Sequence, residues 1–221
     1  MRNGRFLAGI LAAVMLLPAM ALQATGTQSG YHQAYLFGYP DGTVRPEAEV
    51  TREELAQILF RLVGQEPEKL QTNSSFCDVT KSRWSYRAIS AMAGLGVLPG
   101  GADGRYQPKK AVSGEALTAV LDLITYTDAK DCFPVISGRW EQLRGSIADS
   151  LAQKQTVSRA ETAELLNRLM DRSTEASSQM GSELFPDNTD QTAWYYAQIR
   201  EASVSHSWDC DNKKECWTAV G

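Results

Sequence analysis

A short cluster occurs three times in this sequence, each time as a valine and a Ser or Thr followed by an acidic group. The copies are Val50-Thr51-Arg52-Glu53-Glu54, Val112-Ser113-Gly114-Glu115-Ala116 and Val157-Ser158-Arg159-Ala160-Glu161. Each copy opens a segment whose apolar residues have helical spacing. Because one such unit rarely buries its own apolar face, the repetition predicts a fold in which several similar units pack against one another.

The repetition extends beyond the three clusters. A shift that moves Thr51 onto Ser113 superimposes a glycine-rich turn, Gly38, Asp41, Gly42 and Pro46, on Gly100, Asp103, Gly104 and Pro108. A second half-motif also recurs, as Phe76-Cys77-Asp78 before Trp84, Tyr86 and Ile89, and as Phe185-Pro186-Asp187 before Trp194, Tyr196 and Ile199. A complete unit therefore consists of a helix, a glycine-rich turn and a second helix, and we expect an all-α, mainly helical fold.

The first residues have the layout of a secretory signal. Arg2 and Arg5 precede an apolar run, and the small-residue pattern Ala19-Met20-Ala21 follows it. We expect a signal peptide over residues 1–24. The run is shorter than the roughly 20 apolar residues of a membrane span, so no span is expected after cleavage, with an uncleaved anchor as the alternative.

The repeat pattern divides the rest of the chain into four parts. We expect an N-terminal half-repeat at 25–64, a complete repeat at 76–126, a degenerate repeat at 133–172 without the Asp-Gly turn, and a C-terminal half-repeat with a cysteine-containing tail at 184–221. The chain thus starts with a second half and finishes with a first half. Our hypothesis is that the last helix docks against the first turn and completes a third unit.

Charge and cysteine content narrow the choice of partners. The net charge of −4 argues against nucleic-acid binding, so an anionic ligand would need a local cluster of cations. In an exported chain the four cysteines can pair, as Cys210 with Cys216 and Cys77 with Cys132 or in another connectivity. A metal site built from His206, Asp209, Asp211 and those thiols has no recognised ligand spacing, and we expect no metal and no cofactor.

The clusters combine two kinds of position. Thr51 with Glu54, and Ser158 with Glu161, form S/T-x-x-E capping boxes. Arg52 and Arg159 instead face the positive end of a helix dipole, which costs about 0.3 to 1 kcal/mol unless a negative group lies nearby. That group is either a neighbouring glutamate or a ligand carboxylate held by the arginine, the free N–H groups of the helix start and the glycine-rich turn.

Other candidates for ligand binding have structural alternatives. Trp84 and Trp194 lie either against a bound ligand or in the core. Asp41 and Asp187 accept hydrogen bonds from ligand hydroxyls or close turns and cap helices. Gly38 and Gly42 set the backbone conformation and also let a ligand approach it.

The clusters also predict which groove is complete. Gly114 and Ala116 replace the arginine and glutamate of the other copies, which predicts a weak or silent groove there, unless Lys109 or Lys110 reaches into it. The most complete expected set is Arg52, Asp41, Gly38 and Gly42 beside Trp194.

Together these motifs resemble the S-layer homology domain of bacterial cell-surface proteins. The resemblance rests on Phe-x-Asp before Trp-x-Tyr-x-x-Ile, on Gly38-Tyr39-Pro40-Asp41-Gly42-Thr43, and on Val50-Thr51-Arg52-Glu53-Glu54. It implies a pseudo-threefold helical bundle that is secreted and attaches noncovalently to an anionic, pyruvate-bearing cell-wall polysaccharide, with the arginine contacting the pyruvate acid group.

Two other functions stay open. One is a scaffold that binds a protein partner, and the other is an enzyme acting on wall glycans through paired carboxylates. Residues 65–75 and 173–183 are short polar linkers, and His32 and His206 belong to no nucleophile arrangement. We therefore expect a binding protein that is not an enzyme.

Overall fold

The computed structural model describes residues 28–63, 70, 76–174, 185–211 and 214–220. The helices in these ranges are α1 (Arg52–Leu62), α2 (Tyr86–Gly94), α3 (Gly114–Tyr126), a short 3-10 helix (Asp128–Cys132), α4 (Pro134–Ala152), α5 (Arg159–Leu169) and α6 (Tyr196–Ser203). The strands are β1 (Gln28–His32), β2 (His206–Asp211) and β3 (Lys214–Val220). The predicted signal peptide lies outside the described residues.

The prediction of an all-α fold is wrong, because both ends of the described chain form a three-stranded antiparallel sheet in the order β1-β2-β3. His32 pairs with His206 and Gly30 with Trp208, while β2 and β3 form a hairpin. Gly30 is needed in β1, since an added Cβ would lie 2.9 Å from the Trp208 indole. The start of the expected N-terminal half-repeat is therefore an edge strand paired with the C-terminal hairpin.

The three repeated helix starts meet at a ring of backbone hydrogen bonds. Val50 N–H donates to the Val157 carbonyl, Val112 N–H to the Val50 carbonyl, and Val157 N–H to the Val112 carbonyl, each at 2.9 Å. All three valine side chains are buried. Each repeat thus satisfies the backbone of the next, and the third returns to the first.

The C-terminal half-motif packs against the first turn of the chain. The Asp187 carboxylate accepts hydrogen bonds from the backbone N–H groups of Val44 and Arg45, at 2.9 and 2.7 Å. In the same way Asp78 holds Tyr106 and Gln107, both at 2.8 Å, at the second turn. The first turn is therefore supported by residues more than 140 positions away along the chain.

The degenerate repeat, residues 133–172, contains a long helix where the others contain a turn. On α4, Trp140, Ile147 and Leu151 are buried along one face, and the Trp140 indole N–H donates to Asp122 at 2.9 Å. An added Cβ on Gly114 would lie 1.8 Å from the Leu151 carbonyl oxygen. The C-terminal end of α4 thus occupies the space where the third groove would lie.

The four cysteines are free thiols, so the structure does not contain the predicted disulfides. Cys210 is paired with Glu215 across the β2–β3 hairpin, and Cys216 with Asp209. Because successive side chains of a strand point to opposite faces of the sheet, Cys210 and Cys216 lie on opposite faces and cannot bond in this register.

No helix in the described part of the chain combines the length and apolar character that a bilayer crossing needs.

Candidate functional site

The capping boxes predicted for two helix starts are confirmed. Thr51 Oγ1 accepts from the Glu54 N–H, and the Glu54 carboxylate accepts from the Thr51 N–H. Ser158 and Glu161 form the same pair at the start of α5. These four residues therefore hold the helix starts together.

The first backbone N–H groups of α1 and α5 already have partners. Arg52 N–H donates to the Lys110 carbonyl, and Arg159 N–H donates to the Ala48 carbonyl, both at 2.9 Å. The following N–H groups donate to the carbonyls of Pro108 and Pro46. The expectation that free helix-start N–H groups hold a carboxylate is therefore wrong for these four groups.

Arg52 lies against the second glycine-rich turn, not the first. Its Nε donates to the Tyr106 carbonyl and its Nη2 to the Pro99 carbonyl, both at 2.8 Å. The guanidinium lies 4.6 Å from the centre of the Tyr106 ring. The expected grouping of Arg52 with Asp41, Gly38 and Gly42 is therefore wrong. The carbonyl contacts use two of the five guanidinium N–H donors and orient the rest.

Arg52 lines a cleft of about 560 Å³, which we call the Arg52 groove. Arg105 and Lys110 line it as well, and no Asp or Glu is among the described residues of its wall. Ala116 contributes to this wall in place of a glutamate. Three cations line this groove, while the carboxylates of Asp78, which attracts Arg105, and Asp103 lie outside its wall, so the groove is a local positive site on a chain whose net charge is −4.

Arg159 lies against the first glycine-rich turn and is almost fully enclosed, with 3% of its surface exposed. Its Nε donates to the Val44 carbonyl and its Nη2 to the Phe37 carbonyl, both at 2.7 Å. The third nitrogen, Nη1, lies 3.4 Å from the Glu54 carboxylate. Arg159 is thus an internal tie between α5 and the first turn, with fewer donors left than Arg52.

The cleft beside Arg159 is about 730 Å³, and we call it the Arg159 groove. Gly38 and Trp84 line it, so three predicted site residues meet here. The described residues of its wall carry charges of both signs. The cations are Arg45, Arg61, Lys109 and Arg159, and the acids are Glu49, Glu53 and Glu54. The acids offset most of the positive charge, which makes this groove a weaker anion site than the Arg52 groove.

Tyr39 closes one side of the Arg159 groove. Its hydroxyl donates to Glu54, and its ring lies 4.8 Å from the Arg159 guanidinium. Burial and this hydrogen bond raise the pKa of Tyr39 to about 12. The phenol therefore remains neutral at physiological pH and keeps Glu54 occupied.

Both predicted tryptophans are exposed and neither is a core residue. Trp84 is 61% exposed and precedes α2, while Trp194 is 54% exposed and stacks edge-on against Tyr195. Trp84 lines the Arg159 groove, whereas Trp194 lines neither groove. An exposed indole at a groove is suited to a sugar face.

The predicted aspartates and glycines of the first turn have structural roles. Asp41 accepts from the Thr43 hydroxyl at 2.6 Å and the Thr43 N–H at 3.0 Å, and pairs with Arg45 at 2.7 Å. These contacts, with the Thr43 hydroxyl first, hold the pKa of Asp41 well below its usual range. Gly42 has a φ of 83°, which favours glycine, and Gly38 is packed against Phe185. Asp187, described above, fixes the same turn.

Arg105 and Lys110 were not predicted for the Arg52 groove. The sequence did place Lys109 and Lys110 near the groove of the Gly114 cluster, and Lys110 lies beside Ser113 and Ala116 of that cluster in the Arg52 groove, whereas Lys109 lines the Arg159 groove. The missing information was which turn each helix start faces after the repeats close on themselves.

Comparison with known proteins agrees with these features. The family model described as "S-layer homology domain" matches residues 34–56 and 75–118. "Cell surface glycoprotein 1" of Acetivibrio thermocellus is 27% identical over 216 residues, covering 86% of this chain and 9% of that protein. The "Cellulosome-anchoring protein" of the same organism is 28% identical over 214 residues, covering 86% of this chain and 46% of that protein.

This chain therefore spans less than half the length of either relative. The matches agree with the expectation of a non-enzymatic protein. The chain therefore matches the S-layer homology domain over residues 34–56 and 75–118 and is similar to two proteins named as cell-surface and anchoring proteins.

Proposed function

We propose that this protein attaches noncovalently to an anionic, pyruvate-bearing polysaccharide of the cell wall, with the Arg52 groove as its main binding site. The supporting observation is the Arg52 guanidinium, held by two carbonyls in a groove that also contains Arg105 and Lys110 and no described carboxylate. A fixed guanidinium grips a carboxylate through two parallel hydrogen bonds. Two further cations within the same cleft attract the rest of an anionic polymer.

The Arg159 groove is the second contact in this proposal. Its exposed Trp84 offers an apolar surface for the C–H face of a sugar ring, while Gly38, packed against Phe185, holds the adjoining turn in place. Asp41, Gly42 and Asp187 shape the first turn that forms one wall. The cellulosome-anchoring relative supports an anchoring role, which here would hold the protein itself or a partner at the wall.

Replacing Arg52 with alanine is expected to lower the apparent affinity for purified cell walls, measured by cosedimentation, by roughly 10- to 100-fold. That range corresponds to the loss of about 1.5 to 3 kcal/mol from hydrogen bonds to a charged group. Arg52→Lys should recover only part of the binding, because an ammonium lacks the planar, two-pronged geometry.

Arg87→Ala is the matched control, since Arg87 is exposed on α2 and lines neither groove. Thermal unfolding of each variant separates lost binding from lost folding. Walls stripped of pyruvate and polymer by acid should no longer retain the wild type. Equal retention of folded Arg52→Ala and Arg87→Ala would contradict the proposal, and retention on stripped walls would indicate a different partner.

Trp84→Ala is expected to lower wall binding severalfold while leaving stability within about 0.5 kcal/mol, because an exposed side chain contributes little to folding. Urea unfolding and wall sedimentation measure the two quantities on the same preparation. A large loss of stability would instead place Trp84 in the core, against its 61% exposure.

A further inference from the structure

Four side chains of the kinds that bind metal ions meet between the sheet and α6, and none of them lines either groove. They are His32 from the end of β1, Glu201 from α6, His206 from β2 and Glu215 from β3. One nitrogen or oxygen atom from each lies within 4.8 Å of the others. The cluster therefore joins both ends of the described chain to the last helix.

The cluster is buried, and several of its polar atoms have no hydrogen-bond partner. The side chains of Glu201 and His206 have 0% exposure, and that of Glu215 has 9%. Among the unpartnered buried atoms are Glu201 Oε2, His206 Nε2 and Glu215 Oε1. An unpaired buried polar atom is costly, so a cation held between these three atoms would stabilise the cluster.

The orientation of His206 also favours a cation within the cluster. Its Nδ1 lies 2.9 Å from the Val204 carbonyl, which can only accept, so Nδ1 carries the proton. In a neutral ring Nε2 then has a lone pair, and this atom lies 3.5 Å from Glu201 Oε2 and 3.6 Å from Glu215 Oε1. Lone pairs at these distances repel unless a cation lies between them, either a proton on the ring or a metal ion.

The distances are close to those of a tetrahedral zinc site. Ligand bonds of about 2.0 to 2.2 Å place neighbouring donor atoms of a tetrahedron about 3.3 to 3.6 Å apart. His32 lies 3.1 Å from Glu201 Oε1 and 3.6 Å from Glu215 Oε1, and His206 lies 3.5 Å from Glu201 Oε2 and 3.6 Å from Glu215 Oε1. With one ligand atom from each residue, all four atoms lie within 4.8 Å of one another, so a bound ion would draw them slightly closer together. We propose that His32, Glu201, His206 and Glu215 bind one Zn²⁺ ion that fastens the three-stranded sheet to α6.

Contacts around the cluster suit this role. A histidine ligand usually donates its other ring N–H to a backbone carbonyl or carboxylate, as His206 does to Val204. Glu215 Oε2 accepts from the Ser173 N–H at 3.2 Å, which orients its other oxygen toward the cluster. Trp217 stacks on the His206 ring with centres 3.7 Å apart, fixing the ring plane.

Charge balance also allows a dication. Two carboxylates neutralise Zn²⁺, and the Arg172 guanidinium lies 4.0 Å from Glu201 Oε1. Both His32 and Glu215 line a cleft of about 940 Å³, which gives the ion a path to the cluster. Four protein ligands leave no open position, so the site would be structural and not catalytic.

The test uses residues 25–221 without a histidine tag, stripped by a chelator and then dialysed. Added Zn²⁺ should bind with a stoichiometry of one by calorimetry and raise the melting temperature by several degrees, whereas Mg²⁺, which prefers oxygen ligands, should do neither. Co²⁺ in the same site should give the strong visible absorption of a tetrahedral complex.

His206→Ala and Glu201→Gln should weaken zinc binding by more than 100-fold. His32→Ala, at the partly exposed edge of the cluster, serves if either variant fails to fold. Asp209→Asn is the matched control, because Asp209 pairs with Cys216 on the outer face of the sheet. Unchanged zinc binding in folded His32→Ala or His206→Ala would overturn the proposal. So would the absence of zinc binding by the wild type, or binding that requires Cys210 and Cys216 instead.

Discussion

Replacing Gly114 with alanine is expected to unfold the protein or to lower its free energy of unfolding by about 3 kcal/mol or more. The new Cβ would lie 1.8 Å from the carbonyl oxygen of Leu151 and 2.6 Å from its carbonyl carbon. These are backbone atoms at the end of α4, so no side-chain rotation relieves the overlap. The start of α3 must move away from α4, which also strains the hydrogen bond from Gly114 N–H to the Lys154 carbonyl.

Urea unfolding measures this effect, and Gly138→Ala is its control. Gly138 lies on α4 with no atom within 4 Å of an added Cβ. Alanine there should stabilise the helix by up to about 1 kcal/mol, because it has the higher helix propensity. Similar unfolding midpoints for the two variants would contradict the close packing of α3 on α4.

The same contact explains the missing arginine of the second cluster. The carbonyls that receive Arg52 and Arg159 belong to glycine-rich turns, and the third repeat has a helix end in the corresponding place. Restoring arginine at position 114 would therefore not create a third groove. It would enlarge the overlap that alanine already causes.

Local patterns predicted the helix starts well. A capping box involves residues three apart, so Thr51 with Glu54 and Ser158 with Glu161 could be identified from the sequence alone. The direction in which each arginine points could not. Arg52 and the carbonyls of Pro99 and Tyr106 are 47 and 54 positions apart, and their contact depends on how the repeats close around the ring of valines.

The sheet was missed for a similar reason. β1 is five residues long, and it is ordered by a strand that begins at His206, on the far side of the helical repeats. In the sequence of His206–Asp211, Trp208 and Cys210 alternate with polar residues, which is a strand signal, but six residues are too few to distinguish it from a polar tail. The ligands of the proposed zinc site share this property, because they come from four separate elements.

Deleting residues 185–221 is expected to abolish cooperative unfolding and to cause aggregation. The deletion removes Asp187, the only described acceptor for the Val44 and Arg45 N–H groups. It also removes the Ala202 carbonyl, which accepts from the N–H groups of Tyr35 and Leu36. Buried backbone groups without partners cost about 1 to 3 kcal/mol each, and several of them approach the whole stability of a domain, about 5 to 15 kcal/mol.

A shorter deletion, of residues 206–221, distinguishes the half-motif from the sheet. It keeps Asp187 and α6, including the fully buried Ile199, but removes β2 and β3. This variant should still unfold cooperatively at a lower temperature, because the first turn keeps its acceptors, and it should lose zinc binding together with His206 and Glu215. Circular dichroism melting measures the cooperativity of unfolding, and light scattering measures aggregation. If the longer deletion melts like the full chain, the C-terminal half-motif does not support the first turn. If both deletion variants unfold and aggregate, the sheet provides that support.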